Sequence, residues 1–324
     1  MILVTGGAGY IGSHFVLYCK EHGEQPVVLD NLVYGHKEAV PAGVPLIVGD
    51  MGDQQLLDDI FTRYPIDAVV HFAAYAYVGE SVTDPAKYYL NNTVAALAVL
   101  EAMRKHGVTN FIFSSTCATY GNPVYVPMDE NHPQAPINPY GQSKYFVEQI
   151  LKAYSLAYNF KFTALRYFNA AGGDPEGRIG ESHDPETHLI PIALQVAQGK
   201  RSHISVFGTD YDTPDGTCIR DYIHILDLAQ AHQLALERLR AGGESEIFNL
   251  GSEQGYSVNE VLEICEKVSG RPIKRVNEPR RAGDPPRLVA SAGKARSVLG
   301  WVPTFQSLDA IIATAWKWEE KRRY

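Results

Sequence analysis

The stretch MILVTGGAGYIG, residues 1–12, decides the predicted fold. Residues 1–4 are almost wholly apolar, which is typical of a strand buried on both faces. Gly6, Gly9 and Gly12 then follow at intervals of three, where a strand turns into a helix. Glycines at such a turn let backbone N–H groups approach a pyrophosphate, and the helix N-terminus adds partial positive charge. A bound dinucleotide is therefore predicted.

A glycine-rich turn without a ligand has the same spacing, so the residues that follow decide between the two. Residues 13–20 suit a helix that Gly23 stops, and residues 27–29 suit a second strand that ends on Asp30. A carboxylate that binds the adenosine ribose hydroxyls is expected ~20 residues after the glycines, and Asp30 lies close to that position. It would repel a 2′-phosphate, and residues 31–33 offer no arginine. The predicted cofactor is NAD rather than NADP.

Composition excludes several classes of protein. A chain of 324 residues can bury one large core or two smaller ones. Its formal net charge of −8 gives no general attraction to nucleic acid or an anionic membrane. Neither a signal sequence nor a membrane span is recognisable. The cysteines lie too far apart for metal-ligand spacing and suit a reducing compartment: Cys19, Cys117, Cys218 and Cys265. We therefore expect a cytoplasmic protein with no metal.

Strand-like and helix-like segments alternate through the first half of the chain. Further strands are predicted at 44–49, 68–74, 111–115 and 163–168, and helices at 56–64, 85–106 and 139–158. Such alternation predicts an α/β fold with a Rossmann-type, doubly wound parallel sheet. Ligands bind at the carboxyl ends of such strands. We therefore expect one site to be ringed by the residues at those ends: Asp30, Asp50, Ala73, Thr116 and Asn169.

The pattern changes after Asn169, where a loop at 170–177 is followed by shorter elements. Helices are predicted at 189–198, 227–240, 258–269 and 307–321, and strands at 204–207, 219–223 and 247–250. A boundary near residue 170 is predicted. It separates an NAD-binding Rossmann domain, residues 1–169, from a smaller α/β substrate-binding domain, residues 170–324. Segments at about 220–250 are expected to pack back on the first domain.

The dipeptide Asn138-Pro139 is a good helix start, with a capping side chain followed by proline at the first helical position. Tyr140 and Lys144 then lie four residues apart, on one face of the helix. Tyrosine has a free pKa of about 10, and an ammonium with a positive nicotinamide nearby would lower it enough for general base catalysis. Such pairs also occur on helices by chance. Here the preceding strand ends in three hydroxyl residues, 114–116, which favours the catalytic interpretation.

These features resemble the extended short-chain dehydrogenase/reductase family, and within it the nucleotide-sugar 4-epimerases. The resemblance covers nearly the whole chain. Its motifs are TGGAGYIG at 5–12, HFAA at 71–74, VGES at 78–81, Tyr140 with Lys144, RYFN at 166–169, DGT at 215–217 and RDYIH at 220–224.

The resemblance implies NAD-dependent 4-epimerisation of a UDP-sugar, UDP-glucose or UDP-galactose, through a 4-keto intermediate. By analogy Tyr140 is the base, Lys144 binds the nicotinamide ribose and tunes Tyr140, and Thr116 supplies a hydroxyl where many relatives have serine. The implied NAD-binding residues are Gly6, Gly9, Tyr10, Ile11, Gly12, Asp30, Asn31, Asp50, Met51, Phe72, Ala73, Ala74, Asn91, Ser114, Tyr140, Lys144 and Tyr167. The implied substrate-binding residues are Thr116, Tyr140, Asn169, His188, Leu189, Phe207, Arg220, Tyr222, Arg281, Asp284 and Leu288.

Three positions depart from the pattern of the family. Ala76 replaces a lysine that contacts a phosphate in some relatives, and His188 replaces an asparagine near the uracil end. Leu288 replaces a bulky tyrosine that gates the sugar pocket in some relatives. The smaller side chain predicts activity on UDP-N-acetylhexosamines as well.

Other interpretations stay open at this point. Residues 76–80 and 115–121 also resemble UDP-arabinose/UDP-xylose 4-epimerases, so a pentose substrate is an alternative. A nucleotide-sugar 4,6-dehydratase would need an Asp-Glu pair where this chain has Cys117 and Ala118. A catalytically inactive NAD-binding sensor would not need the tyrosine and lysine pair. Family analogy and the apolar residues on the helices at 85–106 and 139–158 predict a homodimer.

Overall fold

A parallel sheet flanked by helices forms the centre of this computed structural model, which describes residues 1–281 and 283–324. Within that part of the chain, the large sheet has seven strands in the order β10-β6-β5-β4-β1-β2-β3. In chain order these are β1 Ile2–Thr5, β2 Pro26–Asp30, β3 Leu46–Val48, β4 Ala68–His71, β5 Asn110–Thr116, β6 Lys161–Tyr167 and, after three further strands, β10 Glu246–Leu250. Every neighbouring pair is parallel. The predicted doubly wound α/β fold is therefore confirmed.

Smaller sheets lie beyond the large one. They are built from β7 Asn169–Ala171, β8 Ile204–Phe207, β9 Ile219–His224, β11 Gly255–Ser257, β12 Arg275–Glu278 and β13 Arg287–Leu288. Strand β9 is hydrogen-bonded to β7, β11 and β13, while β8 pairs with β12. Strand β9 is held by the smaller sheet, whereas β10, later in the chain, is an edge strand of the large sheet.

Helices cover both faces of the large sheet and one side of the smaller ones. They are α1 Tyr10–Glu21, α2 Gln54–Arg63, α3 Val78–Thr83, α4 Pro85–Tyr88, α5 Ala95–Lys105, α6 Pro139–Tyr158, α7 Leu189–Ala197, α8 Ile225–Arg240, α9 Val258–Ser269 and α10 Leu308–Lys321. Helices α1 and α8 pack together in one core layer, and α2, α5 and α6 bury their apolar residues in the opposite layer. None of the helices in the described residues could cross a bilayer.

Several element boundaries differ from the prediction. The strand predicted at 68–74 ends at His71, because residues 72–74 leave the sheet at the edge of a cavity. The helix predicted at 85–106 contains a π-helical segment, Tyr89–Val94, between α4 and α5. The start of α6 agrees with the prediction, since the Asn138 side chain accepts a hydrogen bond from the Gly141 N–H at 2.8 Å.

A buried ion pair joins α6 to the large sheet. The Arg166 guanidinium donates to both Glu148 oxygens at 2.9 and 2.5 Å, and the two side chains are 2% and 0% exposed. Ser115 also donates to Glu148, and Arg166 donates to the Tyr120 hydroxyl, which in turn donates to Asn249. Burial alone would raise the pKa of the Glu148 carboxyl, but the guanidinium holds this pKa below its usual value. The network connects β5, β6, α6 and β10.

Candidate active site

A cavity of about 470 Å³ opens at the carboxyl ends of the large sheet. Its walls come from the segments that follow β1, β2, β4, β5 and β6, and from α6 and the residues around β13. Parallel strands place all of these ends on one edge of the sheet, which is where ligands bind in doubly wound folds. The cavity is thus the predicted location of a ligand site.

The glycines after β1 have two different roles. Gly6 has φ +73°, and a Cβ there would lie 2.5 Å from the Ala73 nitrogen. A Cβ on Gly12 would lie 2.1 Å from the Gly6 oxygen, so packing requires glycine at both positions. Gly9 differs, because its Cβ would meet only the Gly6 oxygen within 4 Å, at 3.5 Å. Gly9 lines the cavity, so its missing side chain leaves room for a ligand.

The start of α1 presents an anion-binding end to the cavity. Gly9 is its N-cap residue, and among the described residues no side chain caps it by a hydrogen bond. The first turn holds no acidic residue, and Tyr10, Ile11 and Gly12 line the cavity. Free N–H groups and the partial positive charge of a helix N-terminus suit a pyrophosphate.

The Asp30 carboxylate lies at the end of β2 and also lines the cavity. Its oxygens accept hydrogen bonds from the backbone N–H groups of Ala8 at 2.9 Å and Leu32 at 2.8 Å. Burial raises the pKa of this carboxyl, and these N–H groups act in the opposite direction. A carboxylate can accept about four hydrogen bonds, so acceptor capacity remains for the hydroxyls of a ribose.

Tyr140, Lys144 and Thr116 converge on the same cavity. Thr116 ends β5, and the other two lie in the first two turns of α6. The Lys144 side chain is almost fully buried and donates from Nζ to the Ser114 carbonyl oxygen at 2.9 Å. The Ser114 hydroxyl is hydrogen-bonded to the Tyr167 hydroxyl. A tyrosine, a lysine and a threonine hydroxyl therefore line one wall.

Burial controls the titration of this pair. It raises the pKa of Tyr140 to about 12, against a smaller lowering by the Thr116 hydroxyl. It lowers the pKa of Lys144 to about 7. The predicted lowering of the Tyr140 pKa involves Lys144 together with a positive nicotinamide nearby, and for the enzyme with NAD bound it stays a prediction. In the chain alone, the Tyr140 pKa responds to burial, Thr116 and Cys117 rather than to Lys144, whose Nζ donates to the Ser114 carbonyl oxygen.

Comparison with known proteins agrees with this geometry. Residues 2–251 match the family model of the NAD dependent epimerase/dehydratase family. The chain belongs to this family. It is 55% identical over 321 residues to a protein of Rhizobium meliloti named UDP-glucose 4-epimerase, an alignment that covers 99% of this chain and 97% of that relative.

Solved structures of the family have the same fold. The UDP-glucose 4-epimerase of Bifidobacterium longum, in complex with NAD+ and UDP, is 38% identical with a TM-score of 0.94, and the match covers 99% of this chain and 98% of that one. The UDP-Glc/GlcNAc 4-epimerase of Campylobacter jejuni is 44% identical with a TM-score of 0.86, and the match covers 99% of both chains. The predicted resemblance is confirmed, and the cofactor of the family, NAD, fits the glycine turn and Asp30.

Most of the residues that the sequence singled out line the cavity. These are Gly6, Gly9, Tyr10, Ile11, Gly12, Asp30, Asn31, Met51, Phe72, Ala73, Ala74, Asn91, Ser114, Thr116, Tyr140, Lys144, Tyr167, Asn169, His188, Leu189, Tyr222, Asp284 and Leu288. Leu288 also packs in a small apolar cluster with Tyr120, Met128 and Phe168.

Asp50, Phe207, Arg220 and Arg281 do not line the cavity. Asp50 accepts a hydrogen bond from the Gly52 N–H in a turn beside Met51. The two arginines are linked through Asp284, since Arg220 lies 3.3 Å and Arg281 lies 3.0 Å from its carboxylate oxygens. The Arg281 guanidinium also lies 4.8 Å from the centre of the Phe207 ring. This group adjoins the cavity at Asp284.

Several residues of the cavity wall were not predicted from the sequence, among them Tyr34, Tyr75, Tyr77, Glu181 and His183. The tyrosines pack edge to face, and the Tyr75 N–H donates to the Asn92 side chain. All three tyrosines follow the ends of β2 or β4, so the rule that strand ends line the site would have found them. Glu181 and His183 lie well beyond the end of β7, in the loop that leads to α7, so the rule about strand ends does not identify them.

Gly9→Val is expected to weaken NAD binding roughly tenfold or more, because overpacking a site costs about 1–3 kcal/mol. The fold should persist, since the new Cβ meets no protein atom closer than 3.5 Å. NAD released from purified, denatured protein measures the loss. Gly293→Ala is the control, because a Cβ there meets nothing within 4 Å and Gly293 is remote from the cavity. Equal NAD content in both variants would contradict the role of Gly9.

Proposed function

We propose that this chain interconverts the C4 epimers of a UDP-sugar, with UDP-glucose and UDP-galactose as the principal pair. One observation carries the proposal: Tyr140, Lys144 and Thr116 share the cavity whose other end has the NAD-binding turn. The 55% identity to a protein named UDP-glucose 4-epimerase supports the same activity. Residues 1–169 with later segments would hold NAD, and residues 170–324 would hold the UDP-sugar.

In the proposed mechanism the side chains of the protein transfer the proton and orient the sugar. Bound NAD+ supplies a hydride acceptor and positive charge. Tyr140 takes the proton of the C4 hydroxyl, and Thr116 donates a hydrogen bond to the same oxygen. Lys144 anchors the nicotinamide ribose from its buried position beside Ser114. With NAD+ bound, the C4 hydride would pass to the cofactor as Tyr140 takes the proton and would return after the 4-keto sugar has turned. Tyr140 then gives its proton back to the C4 oxygen, so configuration inverts without net oxidation.

The nucleotide end of the substrate is assigned to the group around Asp284. Arg220 and Arg281 supply the guanidinium donors that suit a diphosphate, and Phe207 offers an aromatic face. Both arginines already contact the Asp284 carboxylate, which holds them together beside the cavity. Strong binding at this remote end keeps the keto sugar from escaping while it turns.

One rival reaction, dehydration, is disfavoured by the residues that follow Thr116. Cys117 and Ala118 line the cavity where a 4,6-dehydratase would need an acid and a base. Neither side chain can supply a carboxylate, which disfavours dehydration. A pentose substrate differs only in the sugar, so the choice between hexose and pentose is left to the assay below.

We also propose a cytoplasmic homodimer. Several apolar side chains are exposed on the helical segments of residues 89–94 and 139–158: Leu90, Val94, Phe146, Leu156 and Tyr158. Pairing these helices with those of a second copy would bury them as a four-helix bundle. The four cysteines are free thiols, which suits a reducing compartment. Sedimentation analysis should give twice the chain mass of 35.8 kDa; a monomer would contradict the dimer.

The decisive experiment incubates the purified protein with UDP-galactose without added NAD or reductant. Formation of UDP-glucose, with no accumulation of reduced cofactor, is the expected result. The same assay with UDP-xylose tests the pentose alternative. A product that has lost water would indicate a dehydratase, and no conversion of any UDP-sugar would overturn the proposal.

Turnover of UDP-N-acetylglucosamine is also expected, because Leu288 lines the cavity with a smaller side chain than the tyrosine of some relatives. In Leu288→Tyr the larger ring should restrict the sugar pocket. Activity on UDP-N-acetylglucosamine is then expected to fall about 5- to 150-fold, since overpacking costs about 1–3 kcal/mol, while activity on UDP-glucose persists. No detectable turnover of UDP-N-acetylglucosamine by the unmodified enzyme would remove this part of the proposal.

A further inference from the structure

Two histidines and two glutamates converge in the loop between β7 and α7. They are Glu181, His183, Glu186 and His188, and one ligand atom from each lies within 4.8 Å of all the others. Nδ1 of His183 lies 3.4 Å from Glu181 and 3.5 Å from Glu186. Nδ1 of His188 lies 2.8 Å from Glu181 and 3.1 Å from Glu186. The Nδ1 atom of each histidine is therefore within 3.5 Å of both carboxylates.

Hydrogen bonds account for only part of this arrangement: Glu186 Oε1 accepts from the backbone N–H groups of Thr187 and His188 and is also hydrogen-bonded to His188 Nδ1. Glu181 and Glu186 are each 6% exposed, yet Glu181 Oε1 and Glu186 Oε2 accept no hydrogen bond of good geometry in the described residues, although both lie within 3.5 Å of a histidine Nδ1. Nδ1 of His183 likewise makes no hydrogen bond of good geometry there. An imidazole nitrogen carries at most one proton, so it can donate to only one of the two carboxylates beside it. Buried carboxylate oxygens without partners are costly, which indicates that another group completes the cluster.

We propose that Glu181, His183, Glu186 and His188 bind one divalent transition-metal ion, with Zn²⁺ as the ion that fits best. Tetrahedral zinc has bonds of about 2.0–2.2 Å to histidine nitrogen and carboxylate oxygen, which puts neighbouring ligand atoms about 3.3–3.5 Å apart. The His183 Nδ1 distances to Glu181 Oε1 and Glu186 Oε2, 3.4 and 3.5 Å, match this spacing, the His188 Nδ1 distance to Glu181 Oε1 is shorter at 2.8 Å, and all four ligand atoms lie within 4.8 Å of one another. Imidazole ligands favour zinc and its neighbours over Mg²⁺ or Ca²⁺.

The loop that carries these ligands is held at both sides of the cluster. The Trp318 indole N–H donates to the Glu181 carbonyl oxygen at 2.8 Å, and the Tyr77 hydroxyl donates to the Pro185 carbonyl oxygen at 3.0 Å. The Tyr10 ring lies edge-on to the His183 ring, with the ring centres 6.2 Å apart. The metal would therefore fasten the loop against the segment that follows the glycine turn, beside the cavity wall.

This site differs from the sequence prediction of no metal, which considered only the cysteines. The sequence signal is Glu181-x-His183-x-x-Glu186-x-His188, four ligand residues within eight positions. The proposal does not depend on the identity of the sugar, because none of the four ligands belongs to the Tyr140 and Lys144 pair. It assigns His188, which the family resemblance placed among the substrate-binding residues, to the metal instead.

Titration of the chelator-treated holoenzyme with ZnCl₂, in the presence of a thiol reductant, tests the site directly. Isothermal calorimetry is expected to give one Zn²⁺ per chain. X-ray absorption at the zinc edge is expected to show two imidazole nitrogens and two oxygens at about 2.0–2.2 Å. This measurement needs no variant. Absence of stoichiometric binding, or a zinc shell with sulfur or without imidazole, would overturn the proposal.

The variants His183→Asn and Glu186→Gln each remove one proposed metal ligand and replace it with an amide side chain. Each is expected to weaken Zn²⁺ binding by about 100-fold or more. Removing a residue that only hydrogen-bonds to a metal ligand already costs about 10–100-fold. Circular dichroism establishes that each variant is folded before titration. His203→Asn is the control, because His203 is an exposed histidine outside the cluster and should bind zinc as the unmodified chain does. Undiminished binding by both folded ligand variants would show that the cluster is an ion-pair network only.

Discussion

Tyr140→Phe is expected to reduce the turnover of UDP-galactose by about 10²–10⁴-fold, the usual contribution of a general acid or base. The substitution removes only the hydroxyl that is proposed to take the C4 proton. Tyr140 lines the cavity together with Lys144 and Thr116. Neither of these two side chains has a phenolic oxygen that could take the proton in its place. Bound NAD should be retained, because the glycine turn and Asp30 lie on other segments. Steady-state rates measure the turnover of UDP-galactose, and the NAD content of the same preparation measures the retained cofactor.

The control for this variant lies on the same helix. Tyr145→Phe makes the identical chemical change within α6 at a residue that does not line the cavity. It should leave both turnover and NAD content near those of the unmodified enzyme. If Tyr140→Phe turned over UDP-galactose at the unmodified rate, another group would have to carry the proton and the mechanism would be wrong.

Glu148→Ala is expected to lower the free energy of unfolding by about 3–5 kcal/mol, the usual cost of removing one partner of a buried ion pair. The substitution leaves the Arg166 guanidinium charged within the protein, where it is 2% exposed. Ser115 would lose its acceptor as well. Urea unfolding followed by circular dichroism measures the change.

An exposed ion pair provides the comparison. Glu244 contacts Lys161 at 2.6 Å, but its side chain is 78% exposed. Glu244→Ala should therefore cost less than about 1 kcal/mol. Similar losses in the two variants would refute the role assigned to the buried network. Glu148→Gln should fall between them, because an amide still accepts a hydrogen bond but carries no charge.

The large sheet and its ligand edge were predictable because their signals are local. Alternating strand and helix patterns, the glycine turn after β1 and the Asn138-Pro139 start of α6 are each encoded within a few neighbouring residues. The edge at which ligands bind follows from the parallel arrangement itself. Residues at those strand ends, such as Asp30 and Thr116, therefore line the cavity as expected.

Other features depend on partners that are distant in the sequence. The network around Glu148 includes Asn249, which β10 brings to the large sheet, and the link between Arg220 and Asp284 spans 64 positions. The titration of Tyr140 and Lys144 depends on how completely the fold buries them, which the four-residue spacing does not reveal.

The sequence alone determined the class of fold, the choice of NAD and the identity of the catalytic candidates, because short-range turn chemistry and helical periodicity specify them. Only the tertiary structure decided which charged groups meet, how far burial shifts their pKa values, and that two histidines and two glutamates of one loop point at a common centre. Burial and convergence come from packing between segments, and packing is a property of the whole chain rather than of any stretch within it.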